Sequence, residues 1–344
     1  MGKHIERIER RTLLKSLAAT PVLLSPLAAG CANHGSSTSA GTLNIGQISD
    51  SVAFFPLFVA EEKGYFKDEG IKLGERPRLG TGAKVAAALK SGSIDLGGGV
   101  LTDAFNLQKT GGAGGTKVTT SLVTEYYVDI VIGKKVRAPG DTAGLESRVK
   151  ALVGKKIGIT GPGSGTEALV TYLFERIGKN AKKEATLVNL GSAATSAIGA
   201  LKSGRVDALS FFQPIGQQVE ADGSGRILIS PARGDVADMM GALHGVVFTT
   251  GKLLKKKKDE VDSFQNAIKR AQQDVQGDPD KVRELLEKYL KDTSAKALDA
   301  LVPMLRREMP QSPEVEKRPY DTARKFHLES KLVAKAPTFS EIKG

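Results

Sequence analysis

The segment Gly161-Pro162-Gly163-Ser164-Gly165-Thr166 holds the residue types best suited to chemistry in this 344-residue chain. A β-rich run, Lys155 to Thr160, precedes it, and Glu167 to Ile177 follows with one apolar face, so the loop joins a strand to a helix. The first N–H groups of a helix lack intrahelical acceptors. Here they stand beside the hydroxyls of Ser164 and Thr166, an arrangement suited to an anionic oxygen cluster such as a carboxylate, sulfonate, phosphate or nitrate. The same hydroxyls could simply cap the helix, and the two roles are compatible. Three enzymatic readings of the loop fail. No Lys follows the glycines, as a phosphate-binding P-loop requires. Gly163 to Ala168 fits a dinucleotide G-x-G-x-x-A pattern, but the next strand ends Val188-Asn189-Leu190 with no acid for a ribose. A nucleophile elbow needs glycines two before and two after the Ser, where Pro162 and Thr166 stand.

Other reactive side chains are few. His4 and His34 lie near the N-terminus, leaving His244 and His327 for the fold, too few for a zinc cluster. His327 reads as a surface or packing residue; His244 precedes a returning strand and either faces a cleft or packs at a hinge. Glu125 and Asp103 are the only obvious acid/base pair. Aromatic pairs Phe54-Phe55, Tyr126-Tyr127 and Phe211-Phe212 mark strand ends, and alternation sends one member of each toward a cleft mouth. A helix N-terminus contributes at most about 2 kcal/mol, whereas micromolar binding needs about 8 kcal/mol. A single loop is therefore insufficient, and the site must close from two sides.

The elements that would supply two sides are written in a repeat. Ala88-Leu89-Lys90-Ser91-Gly92-Ser93-Ile94-Asp95-Leu96 returns as Ala200-Leu201-Lys202-Ser203-Gly204-Arg205-Val206-Asp207-Ala208, 112 positions later. Each copy reads as a last helical turn, a Gly stop and a buried strand. So long a spacing is no solenoid period; it predicts two similar α/β lobes with a cleft between them. Strands alternate with helices throughout, which implies largely parallel sheets. Crossings near 126–134 and 236–246 would form a hinge, with 42–134 and 240–344 as one lobe and 135–239 as the other. Helices are expected over 259–276, 279–290 and 295–308, with one more near 320–332.

Hydrophobic content of 40% and charged content of 26% suit a globular chain, and no apolar run of about 20 residues would span a membrane. Residues 1–30 read as an export signal: a basic start, a short apolar run broken by Pro21 and Pro26, and small residues before Cys31. Arg10-Arg11-Thr12-Leu13-Leu14-Lys15 resembles a twin-arginine motif, although paired arginines also occur in general signals. Leu27-Ala28-Ala29-Gly30-Cys31 resembles a bacterial lipobox, which makes Cys31 the expected lipidation site; a plain cleaved signal is the alternative. Residues 32–41 then form a flexible tether, and the body is expected in the periplasm or on the outer face of the cell membrane. A single cysteine excludes an intramolecular disulfide. The net charge of +12 falls to +9 without the leader, and Lys252 with Lys255 to Lys258 supply much of the excess. Followed by Asp259, Glu260 and Asp262 with no interleaved aromatics, this run reads as a solvated helix start, not a nucleic-acid surface.

Pro56-Leu57-Phe58-Val59-Ala60-Glu61-Glu62-Lys63-Gly64-Tyr65-Phe66-Lys67-Asp68-Glu69-Gly70-Ile71 closely resembles the opening segment of ABC-transporter substrate-binding proteins. The relevant branch includes aliphatic sulfonate, taurine, nitrate and thiamine-pyrimidine binders. Gly161 to Thr166, Ala200 to Ala208 and Phe212-Gln213-Pro214 are similar to its second lobe, and the resemblance spans about residues 43–250. It implies a type II periplasmic-binding-protein fold with two hinge crossings, no cofactor, no catalysis and delivery of a small solute to a membrane permease by a monomer. By the same resemblance, ligand contacts should come from Ser49, Asp50, Ser51, Phe54 and Phe55, from Gly98, Gly99 and Thr102, and from Glu125, Tyr126 and Tyr127. The second lobe should add Ser164 to Thr166, Phe212 and Gln213. Taurine-type members often carry an acid where this chain has Gln213, so a zwitterionic amine is disfavoured and a simple anion or neutral heteroaromatic solute favoured. Eukaryotic relatives that make the thiamine pyrimidine use cysteine-rich iron motifs, which a lone Cys31 cannot supply. An extracytoplasmic sensor using the same clamshell is the alternative function, and an exported enzyme built on Glu125 and Asp103 ranks behind it.

Overall fold

The computed structural model describes residues 41–344, apart from 112–113 and 332. The signal segment, Cys31 and the tether up to residue 40 lie outside the described residues, and Gly41 already belongs to the first strand. Eleven strands are described: β1 Gly41–Leu43, β2 Ile45–Gln47, β3 Ile71–Leu73, β4 Leu96–Val100, β5 Thr116–Val123, β6 Val128–Gly133, β7 Lys156–Ile159, β8 Thr186–Asn189, β9 Ala208–Phe212, β10 Gly225–Ile229 and β11 Gly245–Thr250.

They form a four-stranded sheet ordered β2-β4-β11-β5, a five-stranded sheet ordered β10-β6-β9-β7-β8, and a two-stranded β1-β3 ribbon that continues from the first. In each large sheet the strand arriving from the other sheet, β11 or β6, runs antiparallel to both of its neighbours, and the remaining pairs are parallel. The chain passes between the sheets twice, at 124–127 and at 230–244. The sequence reading placed the first crossing over 126–134; the structure shortens it, because β6 pairs with β9 and β10 inside the five-stranded sheet.

The repeat has a physical meaning that extends beyond its nine residues. Helix Gly82–Ser91 ends at Gly92 (φ 76°) and helix Ala194–Ser203 at Gly204 (φ 76°). Both glycines take the left-handed conformation that a side chain would resist. The Asp that follows then grips the neighbouring strand. Asp95 Oδ2 accepts from Asn44 N–H at 2.9 Å, and its own N–H donates to Asn44 O at 2.7 Å. Asp207 Oδ2 accepts from Lys156 N–H at 2.8 Å, and its N–H donates to Lys156 O at 2.8 Å. Asn44 and Lys156 are themselves 112 positions apart, so the clamp is duplicated atom for atom.

Long C-terminal helices close the molecule. In Lys258–Gln276 the buried positions Val261, Phe264, Ile268, Ala271 and Val275 recur at three- and four-residue steps, an apolar stripe that packs Phe264 on Phe66 at 5.5 Å. The lysine run precedes this helix, but not all of it is solvated. Lys257 Nζ reaches Asp95 Oδ2 at 2.9 Å and Thr42 O at 2.9 Å, tying the C-terminal third to the first clamp.

The two clamps differ in exposure: Asp95 is buried, while Asp207 is only half-buried. A carboxylate removed from a buried N–H leaves that donor unsatisfied, at a cost of about 1–3 kcal/mol. Asp95→Ala is expected to lower the urea midpoint clearly more than Asp207→Ala in parallel denaturation curves.

Candidate functional site

The carboxyl ends of the parallel strands and the start of the antiparallel ones face one gap. It encloses a cavity of about 470 Å³. Ile48, Val100 and His244 come from the edge of the four-stranded sheet, and Tyr127, Thr160 to Thr166, Ser192 and Phe212 from the five-stranded one. Crevices at this edge of an α/β sheet are where ligands gather. Gly80 to Ala83, Asp103 and Asn106 add to the wall, and among the described residues Lys109, exposed at the rim, is the only lysine or arginine in the lining.

The glycine-rich loop is already heavily bonded to itself. Ser164 is the N-cap of helix Gly165–Glu175, its Oγ accepting from Glu167 N–H at 3.3 Å. Glu167 Oε2 in turn accepts from Gly163 N–H at 2.6 Å, while Lys182 pairs with its other oxygen at 3.1 Å. The Thr166 hydroxyl accepts from Thr160 N–H at 3.0 Å and lies 2.7 Å from Ser164 Oγ. The structural role weighed against the anion-binding one is thus present, and a carboxylate of the chain's own occupies the helix start.

The first-sheet side meets this loop closely. Tyr126 Oη donates to Gly165 O, and Asn106 Nδ2 donates to Gly163 O at 3.2 Å. A Cβ on Gly165 would stand 3.1 Å from Tyr126 Oη and 3.4 Å from His244 Cε1, so a side chain there would crowd this approach. His244 is fully buried, its ring 3.8 Å from that of Tyr126 and 4.8 Å from that of Tyr127. Neither of its ring nitrogens has a protein partner. Burial holds it neutral, well below the ordinary imidazole range, and nearby His327 adds to the effect. His327, read from sequence as a surface or packing residue, is fully buried and lies 2.6 Å from Thr102 Oγ1. Burial lowers it to about 4.

Of the residues singled out in the sequence, Tyr127, Gly163, Ser164, Gly165, Thr166, Phe212 and His244 line the cavity. The remainder do other work. Phe54 and Phe55 are buried in the core, Phe55 against Phe58 and Tyr289. Gly98 and Gly99 make room for the Phe54, Asp103 and Phe248 side chains. The Ser49 carbonyl accepts from Gln47, Asp50 pairs with Arg78 at 2.6 Å, and the Ser51 carbonyl accepts from Tyr289 Oη. Thr102 faces His327, and Tyr126 reaches the cavity loop without lining the cavity. Glu125 Oε1 accepts from Gly241 N–H at 3.0 Å, away from Asp103, so the two carboxylates weighed as acid and base do not share a site. Gln213 is fully buried against Glu308 at 3.1 Å, so the ligand inference drawn from it has no footing in the cavity. Asp103 lines the cavity although the sequence offered it only as a catalytic acid or base.

Helix Ala295–Glu308 grips both crossings. The Glu308 carbonyl accepts from Thr124 N–H at 2.9 Å, and Arg307 Nη2 donates to Ala232 O at 3.1 Å. The Glu308 carboxyl is buried, with Oε2 unpartnered, and burial pushes it up to about 8 with Asp129 and Glu125 adding repulsion.

The NMT1/THI5-like family matches residues 51–282. A search of curated proteins gave no match. Among solved structures, the alkanesulfonate-binding protein SsuA from Xanthomonas axonopodis pv. citri, bound to MOPS, superposes with a TM-score of 0.70 at 17% identity, covering 89% of this chain and 99% of that one. A ligand-binding component of an ABC-type import system from Staphylococcus aureus, with zinc bound, gives 0.68 at 16%, covering 88% and 96%. A Candida albicans protein described as having the generic periplasmic binding protein structural fold gives 0.63 at 18%, covering 86% and 92%. At such identities these likenesses establish the fold, which is the periplasmic-binding-protein fold.

A carboxyl raised from 4.5 to about 8 in the folded state contributes stability that is full below pH 4.5 and lost as pH rises through 8. Glu308→Gln removes that loss and keeps an acceptor for Gln213. Urea denaturation should show the variant gaining over wild type at pH 9 and gaining less at pH 5.

Proposed function

This chain belongs to the NMT1/THI5-like family, and from that premise we propose that it is the extracytoplasmic solute-binding component of an ABC importer. The observation that carries this reading is one cavity of about 470 Å³ walled by the same-facing edges of two separate sheets. A volume in this range suits a small organic molecule. Residues 42–123 with 245–344 act as one half-shell and 128–229 as the other, bending at 124–127 and 230–244; sheet membership supports these limits over the sequence estimate.

A solute held by both half-shells favours the closed arrangement by its differential contacts, and a membrane permease reads that shape. No bond is made or broken. The apolar surfaces of Val100, Tyr127 and Phe212 favour a flat, heteroaromatic or otherwise apolar body. The lipobox at Leu27 to Cys31 supports lipidation of Cys31, with the following residues as a leash to the outer face of the membrane.

Native mass spectrometry of purified protein should reveal a carried solute. Small-angle scattering should give a smaller radius of gyration for the loaded form than for the stripped one. No bound solute, together with no change in radius upon adding extract-derived small molecules, would sink the receptor reading. Gly165→Val, which wedges a side chain between the loop and His244, should weaken solute binding at least tenfold and abolish the contraction. Cys31→Ser should release the protein from the membrane fraction into the soluble one.

A further inference from the structure

We propose that Asp103 makes this cavity a receptor for solutes bearing an ammonium or amidinium head, in place of sulfonate-like anions. The inference rests on the solute-receptor reading above and specifies the chemistry of its ligand. Asp103 sits in the first turn of helix Leu101–Lys109. Its Oδ2 accepts from Val100 N–H at 3.0 Å and so caps that helix. Its second oxygen lies against the backbone of Gly82, another lining residue. A Cβ on Gly82 would stand 1.8 Å from Asp103 Oδ1, so the missing side chain makes room for the carboxylate at the cavity wall. Among the described residues no lysine or arginine pairs with it. A carboxylate kept this dry without a cation is costly, burial raises it to about 6, and a ligand's positive charge would offset that cost.

Two further features agree. The buried His244 ring shares the cavity with two unpartnered nitrogens, offering one donor and one acceptor to a polar head. Across the gap, Glu167 accepts from Gly163 N–H, which sets a carboxylate of the chain's own against the helix start that would attract an anion. The lining thus presents one unpaired carboxylate and, at the rim, one solvated Lys109. An anion entering it meets like charge, whereas a protonated nitrogen meets Asp103.

Isothermal calorimetry with probes of matched shape tests this: benzamidine and benzylamine against benzenesulfonate and benzoate, on stripped full-length protein and on Asp103→Asn. Asparagine keeps an acceptor for Val100 N–H, so the helix cap survives. Wild type is expected to bind the two cations at least tenfold more tightly than the two anions, and Asp103→Asn to erase that preference. A wild-type preference for benzenesulfonate, or cation affinities within twofold in the variant, overturns the proposal while leaving the solute-receptor reading intact. Should the variant fail to fold, the wild-type rank order decides alone. Should no probe bind, a solute carried through purification decides by whether it contains a basic nitrogen. With neither probe nor carried solute bound, both readings fall together.

Discussion

The reciprocal grip of an aspartate on a neighbouring strand, made once in each half, is the constraint on which the architecture depends. Parallel strands need a register that no hairpin sets, since their connection runs through a helix. Asp95 and Asp207 set it chemically, each accepting from one backbone N–H and returning its own to the same residue. With β2 and β7 pinned at their starts against β4 and β9, the strands after the repeated helices, the carboxyl ends of both pairs finish at one level. That level is the rim of the cavity. A slip of one residue would turn the side chains of the slipped strand to the opposite face.

From that rim the cavity acquires its character by subtraction as much as by addition. Gly82 and Gly165 contribute by lacking side chains, one admitting a carboxylate and the other a close approach by Tyr126 and His244. The loop that would have made an anion trap gives its Gly163 donor to Glu167. Facing it stand a dry imidazole and a carboxylate. The crossings that would carry motion are held from outside by the end of helix Ala295–Glu308 through two backbone carbonyl contacts, one given and one received. Movement at the crossings must therefore be accommodated by a buried cluster whose carboxyl oxygens are only partly satisfied.

Much of this was readable in the chain because it is local. Helix–Gly–strand punctuation, the start of helix Gly165–Glu175 and the apolar stripes of the late helices involve neighbours within a few residues, and the structure follows them closely. The repeat betrayed the duplicated halves, yet not the reason for its Asp, whose partner lies 51 residues upstream. His327 escaped for the same reason: its partner Thr102 is 225 residues away. Gln213 and Asp103 show the complementary difficulty. Both are polar residues near strand ends, and only packing decides that one is walled off by Glu308 while the other opens into the cavity. The three consecutive glycines of β4 resemble ligand-binding backbone in sequence but serve side-chain packing.

The position of β11 carries a consequence for the order in which the protein can be assembled. The five-stranded sheet draws all its strands from residues 128–229 and can complete itself as soon as that stretch exists. The four-stranded sheet cannot: β11 sits between β4 and β5, which are not paired with each other. Until residue 250 has been synthesised, β4 and β5 present open edges, the condition under which strands recruit unwanted neighbours. The insertion of one half within the other thus makes the later-sealed half the vulnerable one, and gives any holding chaperone a defined surface to cover.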